Sequence, residues 1–153
     1  MSKLMSVCNY IIGRCNELNI YIDLLKLQKL IYYCQSWSLA YGRGAIFPEH
    51  FEAWIHGPVI RSVYDKFKEK RMYEKITIHD IDNKHSEYSL TEDDEQLIGA
   101  VILYYGKLTG DQLEALTHME EPWKKARKGL MPYEKSKNHI SEEIMEHYYK
   151  SLL

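Results

Sequence analysis

The sequence predicts a mainly α-helical (α+β) fold in one compact domain, residues 1–153, with a small antiparallel β-sheet or hairpin. Two observations favour helices: apolar residues recur every three or four positions along most of the chain, and capping residues stand where these runs begin. A third, short stretches of alternating apolar and polar residues in the middle of the chain, indicates a few strands. With 153 residues, 45% of them hydrophobic, the chain can bury a core without disulfides.

The first two predicted helices carry the strongest pattern. Apolar residues between positions 4 and 18 line one side of the first helix. Asp23 is placed to cap a second helix that reaches Tyr41, where Gly42 and Gly44 supply the stop. We interpret the polar residues on the other side of this second helix as its solvated face: Lys26, Gln28, Lys29, Gln35 and Ser36.

The middle of the chain is expected to hold the strands. Residues 50–56 alternate, with Phe51, Ala53 and Ile55 on one side, which predicts a short strand. We expect Gly57-Pro58 to end this strand, with Pro58 at the first position of a short helix that reaches Phe67. Residues 75–78 and 87–90 are predicted to pair as a hairpin around a polar loop.

The second half of the chain contains three further capping signals. Thr91 with Asp94, and Thr109 with Gln112, have the spacing of capping boxes at two helix starts. The acidic run at 92–95 suits the positive end of a helix dipole, so we interpret it as a helix start and not as a metal site. Pro122 begins one or two further turns, and Ser141 caps a last helix.

Charge and cysteine usage restrict the classes of partner. A formal net charge of -2 gives no bulk attraction to a phosphate backbone or to anionic lipid, so we expect neither nucleic acid nor a membrane as partner. Cys8, Cys15 and Cys34 occupy apolar helical positions without Cys-x-x-Cys spacing, which predicts reduced, buried thiols. No segment resembles a secretory signal or a membrane span, so a cytoplasmic location is expected.

Catalytic and metal-binding motifs are not found in the sequence. The seven histidines show no paired spacing typical of zinc ligands, and neither a Gly-x-Ser-x-Gly elbow nor a P-loop is present. We therefore predict no catalytic residue, no metal and no cofactor. An uncharacterised hydrolase-type enzyme that uses His56 or His118 stays open as an alternative of a different class.

Two basic clusters and two aromatic corners remain. Residues 66–71 and 124–128 could contact phosphates, but both stand at predicted helix ends, where cations complement the dipole, and we favour that interpretation. The corners place Trp54 beside Gly57-Pro58 and Trp123 beside Pro122. Both corners could belong to the core, or they could flank a groove in which rigid aromatic rings anchor a partner.

These segments resemble the Panacea antitoxin domain, a family that includes SocA-like and GepA-like phage-associated proteins. The matching segments, in chain order, are Leu25-Lys26-Leu27-Gln28-Lys29-Leu30-Ile31-Tyr32-Tyr33-Cys34-Gln35-Ser36-Trp37, Phe47, Glu52-Ala53-Trp54-Ile55-His56-Gly57-Pro58-Val59, Val63-Tyr64, Leu116-Thr117-His118, Pro122-Trp123 and Tyr148-Tyr149. The resemblance covers nearly the whole chain. The pairing of Lys-Leu-Gln-Lys-Leu with Trp-x-x-Gly-Pro-Val is more specific than either motif alone.

The resemblance implies a largely helical antitoxin of a toxin–antitoxin system, which neutralises a cognate toxin by direct protein–protein binding. Some members act instead as proteolytic adaptors that deliver a toxin to a cytosolic protease, and this alternative stays open. Some relatives carry a DNA-binding domain ahead of this one, whereas here a helix begins within the first few residues, so the resemblance does not extend to direct operator binding, and repression of its own operon stays open. The resemblance fixes neither the toxin nor the oligomeric state.

We expect the toxin to dock near the second helix and the Gly57-Pro58 turn. The predicted partner-binding residues are Gln28, Lys29, Tyr33, Trp54, His56, Gly57, Pro58 and Trp123.

Overall fold

The computed structural model describes residues 1–81 and 90–153, and it is mainly α-helical there with one two-stranded antiparallel sheet, as the sequence predicts. The helices are α1 (Lys3–Glu17), α2 (Leu24–Ala40), α3 (Arg61–Phe67), α4 (Glu92–Tyr105), α5 (Gly110–Met119), α6 (Glu121–Ala126) and α7 (Glu142–Lys150). The strands are β1 (Glu52–Trp54) and β2 (Gly57–Val59), and a single 3-10 turn spans Ile78–Asp80.

Helix α2 is the centre of the protein. It packs against α1, α3, α4, α5, α7 and β2, so all its residues except Trp37 are buried. The prediction of a solvated polar face on α2 is therefore wrong. The residues assigned to that face are all buried: Lys26, Gln28, Lys29, Gln35 and Ser36.

Loop backbone groups satisfy this buried polar face. The Gln28 amide accepts a hydrogen bond from Ile60 N at 3.0 Å and donates one to Ile60 O at 3.1 Å. Gln35 is bonded in the same way, since it accepts from Ile46 N at 2.8 Å and donates to Phe47 O at 2.9 Å. Because buried polar groups need partners, each of these side chains fixes one loop against α2.

The predicted capping residues are confirmed. The Asp23 carboxylate accepts from Lys26 N at 2.8 Å at the start of α2. Capping boxes close at Thr91 for α4 and at Thr109 for α5, and Ser141 caps α7. Asp94, inside the acidic run, also binds Lys3 Nζ at 2.6 Å and so connects α4 with α1.

The segment around Gly57-Pro58 differs from its prediction. Pro58 does not begin a helix; it lies in β2, where Trp54 pairs with Gly57 and Ala53 with Pro58. The two residues between the strands form a tight turn. Gly57 follows this turn, and its φ of 100° lies in the left-handed region that favours glycine. Helix α3 consequently starts only at Arg61.

The predicted hairpin at 75–78 and 87–90 is wrong in its first strand. Residues 75–77 have no regular structure, and Thr77 caps the 3-10 turn that follows. Ile76 is buried and donates its N–H to Ile22 O at 2.8 Å, so this segment docks on the connection between α1 and α2 instead of pairing with a strand. Residues 87–89 lie outside the described residues.

The three cysteines are free and buried, as predicted. Burial raises the pKa of the Cys8 thiol to about 12 and that of Cys15 to about 11, so both thiols stay protonated at neutral pH. Among residues 1–81 and 90–153, no helix combines the length and the apolarity needed to cross a membrane.

Replacing Gln28 with leucine tests the structural role of the buried polar face. The variant keeps the side-chain volume nearly constant but leaves the N–H and the C=O of Ile60 without partners, so the free energy of unfolding should fall by about 2–4 kcal/mol. Urea denaturation measures the change. The control is Gln96→Leu at an exposed position of α4, which should change stability by less than about 0.5 kcal/mol. Equal effects of the two variants would contradict the role assigned to Gln28.

Candidate functional site

A groove of about 300 Å³ opens beside the first half of α2, where the β1–β2 hairpin, the C-terminal end of α3 and residues 68–72 surround it. Its lining comprises Leu24, Leu25, Gln28, Lys29, Trp54, His56, Val59, Tyr64, Lys68, Lys70 and Met72. The residues from α2 and β2 are buried and form the floor, whereas those from the hairpin turn, α3 and the following loop reach solvent and form the rim.

An aromatic pair forms one wall of the groove. The rings of Trp54 and Tyr64 meet edge to face, with their centroids 5.1 Å apart, and the Arg61 guanidinium lies 5.0 Å above the Trp54 ring. Glu52 accepts a hydrogen bond from Trp54 Nε1 at 2.8 Å and pairs with Arg61 at 3.2 Å. The Trp54 ring is therefore held in one orientation before any partner arrives, which lowers the entropic cost of binding.

Lys29 lies under the hairpin and is fully buried. Its Nζ donates to Pro58 O at 3.1 Å and so fixes β2 on α2. Burial lowers the pKa of Lys29 to about 7, and the carboxylates of Glu114 and Asp23 offset part of that effect. Both the ammonium and the neutral amine are consequently populated near neutral pH.

Gly57 permits the close approach between the hairpin and Lys29. A Cβ atom at this position would lie 2.7 Å from Lys29 Cε and 3.0 Å from Thr117 Oγ1. The positive φ of Gly57 also disfavours any side chain. Glycine is thus required here both by the turn and by the packing beneath it.

A stack of rings supports the hairpin from behind. The rings of His118 and Trp123 are parallel, with centroids 3.9 Å apart, and Trp123 Nε1 donates to Trp54 O at 2.9 Å. Arg127 lies 5.3 Å from the Trp123 ring and donates to Ala53 O at 2.9 Å. Residues of α5 and α6, together with Arg127 just after α6, therefore hold β1 in place.

The two histidines of the enzyme alternative have different environments. The His56 side chain is 57% exposed, and its Nδ1 lies 2.9 Å from Glu114 Oε1. His118 Nε2 is buried without a hydrogen-bond partner within residues 1–81 and 90–153, and burial lowers the pKa of His118. In the same residues, no group of three or more His, Cys, Asp or Glu side chains is arranged to hold a metal ion.

A family model described as "Antitoxin SocA-like, Panacea domain" matches residues 27–124. The chain belongs to this family. The matched span contains most of α2, the whole hairpin, α3 and the loop after it, so it includes nearly all the residues that line the groove. Searches of curated proteins and of solved structures returned no match to this chain.

This Panacea domain gathers most of the predicted partner-binding residues around one hairpin. Trp54 and His56 reach the rim of the groove, and Gln28 and Lys29 lie in its floor. Gly57 and Pro58 form the buried side of the hairpin, and Trp123 is half-buried behind it. Tyr33 is the exception, because it lies in the core, away from the groove lining.

Tyr33 belongs to a buried hydrogen-bond network that connects α2 with the C-terminal half of the Panacea domain. Its hydroxyl donates to Glu120 Oε1 at 2.7 Å, and the Tyr149 hydroxyl donates to the same oxygen at 2.8 Å. Burial raises the pKa of Glu120, although both tyrosine hydroxyls counteract the shift. Glu120 lies between α5 and α6, so this network fixes α5, α6 and α7 on α2.

Seven lining residues are absent from the predicted partner-binding set: Leu24, Leu25, Val59, Tyr64, Lys68, Lys70 and Met72. The prediction that the basic run at 66–71 stands at a helix end is confirmed for Lys66, in the last turn of α3, and for Lys68, at its C-cap. Lys68 and Lys70 also line the groove. In the second basic run, residues 124–128, Lys124 and Lys125 occupy the last turn of α6 as predicted, whereas Arg127 is buried.

The buried Lys29 predicts a specific pH dependence of stability. Its pKa is about 7 in the folded chain and about 10.4 in an unfolded one, so the unfolded chain holds more protons between these values. The contribution of Lys29 to the free energy of unfolding therefore rises with pH in this window, by about 2 kcal/mol from pH 7 to pH 9.

Comparison with Lys29→Met isolates this contribution, because the buried cysteines and tyrosines titrate in both proteins and cancel. Urea denaturation at pH 7 and pH 9 should show the wild type gaining about 2 kcal/mol relative to the variant. Parallel behaviour of the two proteins over this pH range would show that Lys29 is not held at a lowered pKa.

Proposed function

We propose that this Panacea domain is the antitoxin of a toxin–antitoxin system and neutralises a cognate toxin by direct binding, without chemistry of its own. The observation that carries the proposal is the groove beside α2, where the rings of Trp54 and Tyr64 pack edge to face at the rim, beside the apolar side chains of the floor. Preorganised aromatic side chains at the edge of a pocket are typical anchors of protein interfaces. Membership of an antitoxin family supplies the class of partner.

The predicted partner-binding residues divide into two roles under this proposal. Trp54 and His56 contact the toxin, since both reach the groove rim. Gln28, Lys29, Gly57 and Pro58 shape the surface from beneath, and Trp123 supports the hairpin from behind. Tyr33 acts at a distance, through the core network that holds α5, α6 and α7 on α2.

The size of the protein is sufficient for inhibition by contact alone. A standard interface buries about 800 Å² on each partner, and the surface of the chain measures 8490 Å². One face around the groove therefore provides enough area. Neutralisation in the cytoplasm then requires only that the complex dissociates slowly compared with the toxin's encounters with its substrate.

Coexpression with the candidate toxin tests the proposal. The candidate is the product of the reading frame next to this one, expressed alone or with the antitoxin while growth is followed. The wild type should restore growth and bind the purified toxin in calorimetry. Tyr64→Ala and His56→Ala should each weaken binding, by roughly 30-fold if the residue is an anchor worth about 2 kcal/mol.

Tyr133→Ala is the matched control, because Tyr133 is 74% exposed and does not line the groove. It should bind the toxin like the wild type. Failure of the wild-type protein to bind or neutralise the toxin would refute the proposal. Full activity of both groove variants would show that the toxin does not bind at the groove. Toxin half-life after protein synthesis is halted separates a blocker from a proteolytic adaptor, since only an adaptor shortens it.

A further inference from the structure

The groove is cationic, although the chain as a whole is not. Its lining includes Lys29, Lys68 and Lys70, and within the described part of the chain no carboxylate lines it. The formal net charge of the protein is -2. A cluster of cations over low-dielectric walls produces a local positive potential that attracts an anionic group.

The three lysines differ in the partners that their ammonium groups already have. Lys70 pairs with Asp80 at 2.9 Å and with Glu74 at 3.4 Å. Lys68 is exposed at the rim and is free to approach a bound partner. Lys29 donates one hydrogen bond, to Pro58 O, within residues 1–81 and 90–153, although an ammonium group has three donors.

The floor of the same groove contains three apolar side chains besides Gln28 and Lys29. Leu24, Leu25 and Val59 are each less than 8% exposed, and Trp54 and Tyr64 extend this surface to the rim. The volume of about 300 Å³ is at the lower end of the range for ligand pockets. A groove of this size suits one large side chain of a polypeptide, which fills it as an anchor.

We propose that the groove binds an acidic, apolar segment of the toxin. One aromatic or large aliphatic side chain lies over Leu25 and Val59 against the Trp54–Tyr64 wall, and a carboxylate one or two positions away pairs with Lys68 at the rim. This inference rests on the proposed function, because it names the part of the toxin that the groove recognises. It also explains why cations and aromatic rings share one surface in a protein of negative net charge.

Titration of the full-length ¹⁵N-labelled protein with short peptides tests the inference. The probe is acetyl-Gly-Asp-Phe-Leu-Asp-Gly-amide, and its matched controls replace both aspartates with lysine, or both apolar residues with alanine. The acidic apolar peptide should shift the Trp54 indole N–H signal and bind at least about tenfold more tightly than either control. A thymidine hexanucleotide serves as the nucleic-acid probe.

Charge reversal at the rim is a second test of the inference. Lys68→Glu should weaken binding of the acidic peptide by roughly five- to tenfold, whereas Lys150→Glu, in a separate depression on α7, should leave it unchanged. Absence of shifts at the groove, equal binding of the acidic and basic peptides, or tighter binding of the oligonucleotide would each overturn the inference. Toxin neutralisation by the wild type in coexpression is measured separately, so a failure of this inference is distinguishable from a failure of the proposed function.

Discussion

The polar side chains of α2 are buried and need hydrogen-bond partners inside the protein, and the rest of the structure is arranged around this constraint. A buried amide or ammonium without a partner costs several kcal/mol, so loops have to bring their backbone groups to it. Gln28 is hydrogen-bonded to the backbone of Ile60, and Gln35 to that of Ile46 and Phe47. Lys29 donates a hydrogen bond to the carbonyl of Pro58. A helix that is buried on every side thereby fixes irregular segments that have few regular hydrogen bonds of their own.

The groove follows from this arrangement. Lys29 binds Pro58 in the middle of β2, and Gln28 binds Ile60 directly after it, so the hairpin is fixed on α2. Trp54 of β1 consequently lies at the rim of the groove. The stack of His118 on Trp123 closes the hairpin from the other side. The surface proposed to meet the toxin is therefore exposed but rigid, which is consistent with the proposed inhibition by shape and charge.

The sequence predicted the helices well and the polar contacts poorly. Capping residues such as Asp23 and Thr91 act locally, so their patterns identify helix starts without knowledge of the fold. The burial of Lys29 and Gln28 depends on β2 and the Ile60 backbone, more than 25 positions away, and a polar side chain next to an apolar stripe resembles a solvated one. Lys68 does stand at the end of α3, as predicted, but a basic run does not indicate that its side chain lines a groove. The turn predicted at Gly57-Pro58 indicated that Trp54 and His56 lie close together at the hairpin.

Amide hydrogen exchange of the Panacea domain, free and bound to the candidate toxin, tests the central claim most directly. If the hairpin and groove form the contact surface, binding should slow exchange across β2 and residues 61–72, with little change in α7. Protection confined to α7 or to the exposed side of α4, with the hairpin unaffected, would contradict the account and place the toxin on another face.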